Sequence, residues 1–287
     1  MENVATDTGK LLIRHLPDGP LTGLVSAISA YEERGEAMHD GVEAASLVVP
    51  LIFSFRGPFA IALDRRPSRD DRYFSFTAGL HPGHVRMDSR GDAECLQIDF
   101  TPLGARLFFA MPLLELTSRM IRLDDLGDVA VRELADRLAE ASGWHERIRL
   151  AERFVIARIA GSDRAIAPET LRAYREIAKR RGDLRMADIA RDLGWSRKRL
   201  VTEFREQIGM APKTFAKVVR FGHATDLANR PGISGWAEIA AACGYADQAH
   251  MTREFVEFSG APPRRWQREI GPRETGTFLQ ESDFGAM

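Results

Sequence analysis

Residues 187–212 read ADIARDLGWSRKRLVTEFREQIGMAP, and residues 237–263 read AEIAAACGYADQAHMTREFVEFSGAPP. The two stretches place the same residue types at the same spacing, apart from one inserted residue in the second. The matched pairs are Ala187 and Ala237, Ile189 and Ile239, Ala190 and Ala240, Leu193 and Cys243, Gly194 and Gly244, Trp195 and Tyr245, Leu200 and Met251, Phe204 and Phe255, Gly209 and Gly260, and Pro212 and Pro263. An internal repeat indicates architecture before any single residue does, because each copy is one supersecondary unit.

Each copy predicts two short helices joined by a glycine turn. Apolar residues recur at i, i+3, i+4 and i+7 from Met186, which predicts a helix with one buried stripe. Gly194 follows where a left-handed residue is needed, and Ser196 is a good N-cap for the second helix. The second copy follows the same pattern, with Ser234 and Asp247 as its expected N-caps. Any helical bundle contains short amphipathic helices, but two copies with matched positions favour a duplicated helix-turn-helix.

A helix over about 213–229 is predicted to join the two units. At about 1.5 Å per residue, its roughly 16 residues span about 24 Å. Recognition helices that enter neighbouring turns of DNA lie about 34 Å apart. The length of this helix together with the widths of the helices on either side is of that order. The repeat therefore predicts a protein that enters two grooves of DNA.

The segment from about 170 to 271 resembles the AraC/XylS family of transcription regulators. The resemblance is carried by residues 244–255, GYADQAHMTREF, and 259–263, SGAPP, which are close to the C-terminal signature of that family. It covers roughly a third of the chain. It implies a unit of seven helices with two helix-turn-helix motifs, whose recognition helices here are 197–208 and 248–258.

The resemblance implies that these two helices carry the base and backbone contacts to DNA. The residue types fit, since arginine pairs with guanine, glutamine with adenine, and valine or alanine packs on the thymine methyl group. Arg199 and His250 point sideways and are expected at phosphates. The alternative for each residue is an ordinary exposed helix position. The expected recognition surface consists of Arg197, Lys198, Arg199, Val201, Thr202, Arg205, Gln248, Ala249, His250, Thr252 and Arg253.

Charge is divided unevenly along the chain. Residues 168–271 hold 19 Lys and Arg against 13 Asp and Glu, whereas residues 1–167 hold 20 against 25. The sequence pI of about 6.7 thus averages a basic segment and an acidic one. Clustered basic charge supplies the salt-dependent attraction to phosphates, and here Arg197, Lys198 and Arg199 open the first recognition helix.

The first 160 residues predict strands followed by helices. Short β-branched or aromatic runs separated by Gly, Pro and Asp predict strands, and a helical period over 129–160 predicts two helices around a loop at 141–144. The expected fold class is an α+β N-terminal domain, a small β-barrel or sheet followed by a helical pair, joined to an all-α C-terminal domain with two helix-turn-helix motifs. The predicted strands are 11–13, 21–30, 45–55, 59–63, 73–79 and 95–100.

The 287 residues favour two domains. The expected division is a sensor or dimerisation domain at 1–160, a linker at 161–167, the DNA-binding domain at 168–271 and a flexible tail at 272–287. The N-terminal half resembles the variable sensor halves of the same family. A closed apolar core there would argue against a small-molecule sensor. The apolar positions of the helical pair also suggest a two-fold dimer interface, with capping of the sheet as the alternative.

Chemistry-bearing residues of the N-terminal half give little support to catalysis. His81 and His84 with Asp88 suggest a metal site, but the intervening Pro-Gly indicates a turn of solvated histidines. Cys95, in an alternating strand, is expected to be a buried structural thiol, and with Cys243 it forms neither a disulfide framework nor a zinc site. We therefore expect no enzyme, no metal and no cofactor.

The sequence favours a cytoplasmic transcription regulator, because it shows no export signal and no membrane span. One alternative is a DNA-repair alkyl-transfer protein, which would need several metal-binding cysteines or a reactive Pro-Cys motif. Another is a nonspecific architectural DNA-binding protein, which would be more basic throughout. The expected partner is double-stranded promoter DNA, while RNA polymerase, a small-molecule effector of unknown identity and a second copy of the chain are left open. Activation and repression are not distinguished, although activator is the expected class.

Overall fold

The computed structural model describes residues 2–6, 10–35, 37–230 and 235–270. Its N-terminal half is built from short antiparallel strands that alternate between two sheets. The strands are β1 (Glu2–Thr6), β2 (Lys10–His15), β3 (Val25–Glu33), β4 (Gly41–Glu43), β5 (Val49–Arg56), β6 (Phe59–Leu63), β7 (Arg72–Tyr73), β8 (Phe76–Ala78), β9 (Val85–Asp88), β10 (Glu94–Phe100) and β11 (Met120–Arg122).

The described strands form two open sheets, so the sheet, and not the closed barrel, is the architecture observed. The larger sheet has the order β1-β2-β3-β10-β5-β8-β11, and the smaller has the order β4-β9-β6-β7. Strand β10 is central because Leu96 pairs with Ala30 on one side and with Phe53 on the other. An apolar cluster that includes Ile52, Ile61 and Cys95 joins the two sheets.

The strand predictions differ from the structure in three places, the first being that the strand predicted at 45–55 begins only at Val49. The run predicted at 73–79 is divided, because β7 pairs with β6 in the small sheet and β8 pairs with β5 in the large one. The strand predicted at 21–30 begins only at Val25, since a 3-10 turn occupies Gly19–Leu21. The short strands β1, β4, β9 and β11 were not predicted. Each has five residues or fewer and is held by its cross-strand partners.

The helices confirm the predicted helical pair and the all-α C-terminal domain. Helix α1 begins after Thr101, whose hydroxyl accepts a hydrogen bond from the Gly104 amide at 3.1 Å. The helices are α1 (Pro102–Phe109), α2 (Val129–Glu140), α3 (Trp144–Ala160), α4 (Pro168–Lys179), α5 (Met186–Asp192), α6 (Arg197–Ile208), α7 (Pro212–Ala228), α8 (Trp236–Ala242), α9 (Gln248–Ser259) and α10 (Pro263–Arg265).

Helices α2 and α3 cover the sheet with their apolar faces. Leu134, Leu138, Ile148 and Val155 are at most 2% exposed. The same apolar core continues from the sheet into the helical half, where the rings of Tyr174, Phe204 and Phe215 pack together. In the part of the chain that the structure describes, no helix combines the length and apolar character needed to cross a membrane.

Candidate nucleic-acid interface

The two helices predicted to be recognition helices, α6 and α9, begin and end in the same way. The Ser196 hydroxyl accepts a hydrogen bond from the Arg199 amide at 3.2 Å, and the Asp247 carboxylate accepts one from the His250 amide at 2.6 Å. Both predicted N-caps are thereby confirmed. Each helix ends at a glycine of positive φ, 85° at Gly209 and 70° at Gly260. These caps fix where each helix starts and stops.

The shorter helices that precede them also end at glycines of positive φ, 65° at Gly194 and 69° at Gly244. The glycine turns predicted from the repeat are thus confirmed. Helix α8 has Gly235 at its N-cap position without a side-chain cap, and the predicted cap Ser234 lies outside the described residues. The tail predicted at 272–287 also lies outside them.

Burial decides which face each recognition helix can offer to DNA. Leu200 and Phe204 in α6 and their counterparts Met251 and Phe255 in α9 are at most 1% exposed. The opposite faces carry the recognition surface predicted from the sequence. Of its eleven members, all but the half-buried His250 and Thr252 are exposed. The structure therefore brings the predicted residues onto two equivalent outer faces.

Several cations of the recognition surface are available for an external anion. Arg197, Lys198, Arg205 and Arg253 are exposed and have no ion-pair partner among the described residues. An unpaired exposed guanidinium or ammonium can bind a phosphate without first breaking an internal contact. The Thr252 hydroxyl, in contrast, donates to the Gln248 carbonyl at 2.8 Å.

The third residue of each recognition helix packs on the aromatic residue that follows the glycine turn. The Arg199 guanidinium lies 4.8 Å from the centroid of the Trp195 ring, a cation–π contact. His250 meets Tyr245 edge to face, with ring centroids 5.5 Å apart. The repeat thus holds both predicted phosphate-contacting side chains in place. In the second unit His250 Nε2 lies 3.4 Å from a carboxylate oxygen of Glu254.

A buried carboxylate beneath α9 was not predicted from the sequence. Glu254 is 2% exposed and accepts hydrogen bonds at 2.9 and 3.1 Å from one guanidinium nitrogen of Arg220 in α7. The ammonium of Lys217 lies 3.5 Å from the same carboxylate. Arg220 also stacks over Tyr245 at 4.6 Å, and burial raises the pKa of the Tyr245 hydroxyl well above its usual range. The sequence did carry a sign of it, because Glu254 is a charged residue among the apolar residues that form the buried face of α9.

Helix α7 joins the two units. It runs for 17 residues, which at 1.5 Å per residue is about 26 Å. It begins at Pro212, one residue before the predicted start and at the position that favours proline. Phe221 of α7 packs edge to face on Phe255 and Phe258 of α9, at 4.8 and 5.4 Å.

The histidine pair of the N-terminal half has a carboxylate partner that was not predicted. His81 Nε2 lies 2.9 Å from one oxygen of Asp64, and His84 Nδ1 lies 3.5 Å from the other. Asp88 is engaged elsewhere, since it accepts a hydrogen bond from the Asp40 amide at 2.7 Å. No group of three His, Cys, Asp or Glu residues in the described ranges is placed to hold a metal ion.

The cysteine predictions agree with the structure. Both cysteines are free and buried, Cys95 between the sheets and Cys243 at the end of α8. Burial raises the pKa of the Cys95 thiol to about 12 and that of the Cys243 thiol to about 11. Both thiols therefore stay protonated and unreactive at neutral pH, as expected for structural residues.

Two open grooves run along helix α2. The larger, of about 540 Å³, is lined by residues that include Arg72, Phe74 and Val129. The second, of about 520 Å³, lies beside Phe55 and Arg147, and the two share Ser75, Ala135 and Asp136 in their linings. Phe74 is 60% exposed and Val129 is 57% exposed, so apolar surface is presented to solvent beside charged side chains.

Comparison with known proteins places residues 171–269 in a family described as a helix-turn-helix domain. The Msm operon regulatory protein of Streptococcus mutans serotype c is 24% identical over 157 residues, which make up 54% of this chain and 56% of that protein. The chain thus spans about half the length of the curated relative it matches.

Solved structures also match, among them the following two. ToxT from Vibrio cholerae O395 is 12% identical with a TM-score of 0.43, and the match covers 83% of this chain and 95% of that one. The C-terminal domain of AraT, a response regulator from Geobacillus stearothermophilus, is 22% identical with a TM-score of 0.34, covering 41% of this chain and 93% of that one.

Proposed function

We propose that this chain, whose C-terminal domain belongs to the AraC/XylS family of helix-turn-helix proteins, is a transcription regulator that reads two successive major grooves with α6 and α9. One observation carries the proposal. The chain presents two equivalent recognition helices, each capped at both ends, with unpaired cations on their outer faces. A nonspecific DNA-binding protein has no need for two such helices held at a set separation.

The proposed contacts follow from exposure and residue type. Arg197, Lys198, Val201, Thr202 and Arg205 read one half of the operator. The other half is read by Gln248, Ala249, Thr252 and Arg253. Arg199 and His250, each held by an aromatic ring, contact phosphates. Arginine and glutamine form bidentate pairs with guanine and adenine, and each such pair discriminates by about 1–3 kcal/mol.

We further propose that the N-terminal half modulates DNA binding, with the two grooves along α2 as candidate sites for a small-molecule effector. Dimerisation through α2 and α3 stays a proposal beside the capping alternative. Leu134, Ile148 and Val155 are buried within a single chain, as capping predicts, whereas Val129 at the start of α2 is 57% exposed. A dimer interface on this pair would use such exposed positions.

The experiment is selection of duplexes from a random pool by the full-length chain. We expect a two-part motif whose halves are about one helical turn apart, together with affinity that falls steeply with salt. Gln248→Ala and Arg253→Ala should relax one half of the motif, and Lys198→Ala and Thr202→Ala the other.

Arg137→Ala is the control, because it removes an exposed charge from α2, outside the recognition surface. It should return the parental motif. Recovery of no motif by the parent would contradict sequence-specific reading and favour an architectural role. An identical motif from all four recognition variants would contradict the assigned faces.

A further inference from the structure

The N-terminal half contacts both recognition helices at the same point of the repeat. Each contact lies at the C-terminal end of its helix, against the glycine that ends it, and on α9 also at Phe258. Gly209 ends α6 and Gly260 ends α9, and these glycines are a matched pair in the repeat. Two separate segments of the N-terminal half thus contact equivalent ends of the two repeated units.

The first contact is made on α6 by the segment after α1. The Thr117 hydroxyl donates a hydrogen bond to the Gly209 carbonyl at 2.5 Å. Leu113, 2% exposed, packs so closely that a Cβ placed on Gly209 would lie 3.2 Å from the Leu113 Cβ. Arg106 of α1 adds a longer ion pair, 3.8 Å, to Glu206 in the last turn of α6.

The second contact is made on α9 by the small sheet and its loops. The Ala45 amide donates to the Phe258 carbonyl at 2.7 Å. A Cβ placed on Gly260 would lie 3.1 Å from the imidazole ring of His84. Ala45 is 2% exposed, so this loop is buried against the end of α9.

A series of polar side-chain contacts connects the two contacts within the N-terminal half, with hydrogen bonds at its first two steps and a longer ion-pair contact at the last. Ser118, the neighbour of Thr117, has its hydroxyl 3.0 Å from His81 Nδ1. His81 then contacts Asp64, and Asp64 contacts His84, as described above. Ser118 and Asp64 have positive φ values of 52° and 58°, a conformation that a tightly packed setting must hold in place. The two contacts therefore belong to one connected region of the N-terminal half.

We infer that this clasp, defined as Leu113 and Thr117 on α6 and Ala45 and His84 on α9, sets the separation of the two recognition helices and hence the spacing of the operator halves. The inference rests on the proposed function. Within the C-terminal domain, α6 and α9 both pack on α7. The two units also meet at the turn of the second unit, where a Cβ on Gly244 would lie 2.6 Å from the Asp183 carboxyl carbon. A further shared support at the far ends of α6 and α9 limits how far each unit can rotate about α7.

The test measures binding of the full-length chain to the operator that it selects and to versions of that operator with one base pair added or removed between the halves. The parent should lose about tenfold or more in affinity, since one base pair changes both the separation and the rotation of the halves. The double variant Thr117→Val with His84→Ala should lose only about threefold or less in affinity when the same base pair is added or removed.

Thr77→Val with His15→Ala is the matched control. Thr77 donates to the Pro50 carbonyl at 2.8 Å within the N-terminal half, and His15 contacts Glu152 of α3, so neither touches the clasp. This control should keep the parental spacing penalty. A clasp variant that keeps the parental penalty would overturn the inference while leaving the proposed function intact. A parent that selects no two-part operator would instead contradict the proposed function.

A second measurement does not depend on DNA and covers the case in which the double variant binds poorly. Spin labels at Arg191→Cys and Ala241→Cys, exposed and equivalent positions of α5 and α8, report the distance between the two units. The buried native thiols, whose pKa values are raised, should label slowly. We expect a narrow distance distribution in the parent and a broad one in Thr117→Val or His84→Ala alone. An equally narrow distribution in both single variants would overturn the inference.

Discussion

The buried carboxylate of Glu254 should contribute more to stability than any other charge on α9. Its side chain is 3% exposed and lies between Arg220, 14% exposed, and Lys217, 28% exposed. Glu254→Gln keeps the size of the side chain but removes the negative charge. Arg220 then remains largely buried without a counter-ion, and the packing of α9 on α7 depends on that guanidinium.

The magnitude follows from the environment of each partner. Removing one member of a buried ion pair typically costs about 3–5 kcal/mol, because a charge is left unpaired in a poorly solvated site. Lys217 keeps a second partner, Glu257, at 3.1 Å, and Arg220 keeps its stacking on Tyr245. We therefore expect the lower end, a loss of about 3 kcal/mol in the free energy of unfolding.

Equilibrium unfolding in urea measures this loss, with Glu257→Gln as the matched control. Glu257 lies one turn further along the same helix and pairs with the same lysine, but it is 50% exposed. An exposed pair contributes about 0.2–1 kcal/mol, so the control should stay close to the parent. Equal losses in the two variants, or a loss below about 1 kcal/mol for Glu254→Gln, would refute the reasoning that burial controls the value of this pair.

Three further predictions concern other parts of the chain. Burial raises the pKa of Asp99 from 3.8 to about 6, so the folded state holds a proton that the unfolded state releases, and Asp99 should contribute a loss of up to about 3 kcal/mol in the free energy of unfolding as the pH rises from 4 to 7. Burial and the charge of Asp99 raise the pKa of Glu43 to about 7, so the parent loses further stability over the same range. Asp99→Asn should therefore make the loss smaller, but not abolish it, in urea titrations at the two pH values, and parallel pH profiles would contradict this. Ser196→Ala and Asp247→Ala should each cost about 1 kcal/mol because an amide at the start of a recognition helix loses its acceptor, while Asp247→Asn should be nearly neutral. Gly104→Ala would place a Cβ 1.9 Å from the Leu24 carbonyl oxygen, whereas a Cβ on Gly143 would meet nothing within 4 Å. The thermal unfolding temperature should therefore fall markedly for Gly104→Ala and stay close to that of the parent for the control, Gly143→Ala.

The helical half was predictable because its signals are local. The stripe, glycine turn and N-cap of each unit lie within a few residues of one another, and the second copy repeats them. Helix α6 has the predicted bounds, and α9 ends one residue later, at Ser259. Cap residues such as Ser196 and Asp247 act on amides three residues ahead, so their effect can be read without knowing any distant contact.

The sheets were harder to predict because their pairing is not local. Tyr73 and Phe76 lie three residues apart yet belong to strands of different sheets, and the run that contains them carries no sign of the break. The three-residue strands β4 and β11 have too little alternation to be recognised, and each exists because a partner strand supplies its hydrogen bonds. Long-range pairing of this kind is a property of the folded chain as a whole.

The same distinction separates the residues that face DNA from those that hold them. The recognition surface follows from helical period, because exposed positions are those left over when the apolar stripe is buried. Glu254 depends on Arg220, 34 residues away, and the Thr117 contact to Gly209 spans 92 residues. The sequence shows only that Thr117 is a threonine after a short turn. Its hydrogen bond to Gly209 exists because the folded chain places the end of α6 beside it. The contacts that would let the N-terminal half control the spacing of the recognition helices are therefore those that the sequence leaves least visible, and the spacing test addresses them directly.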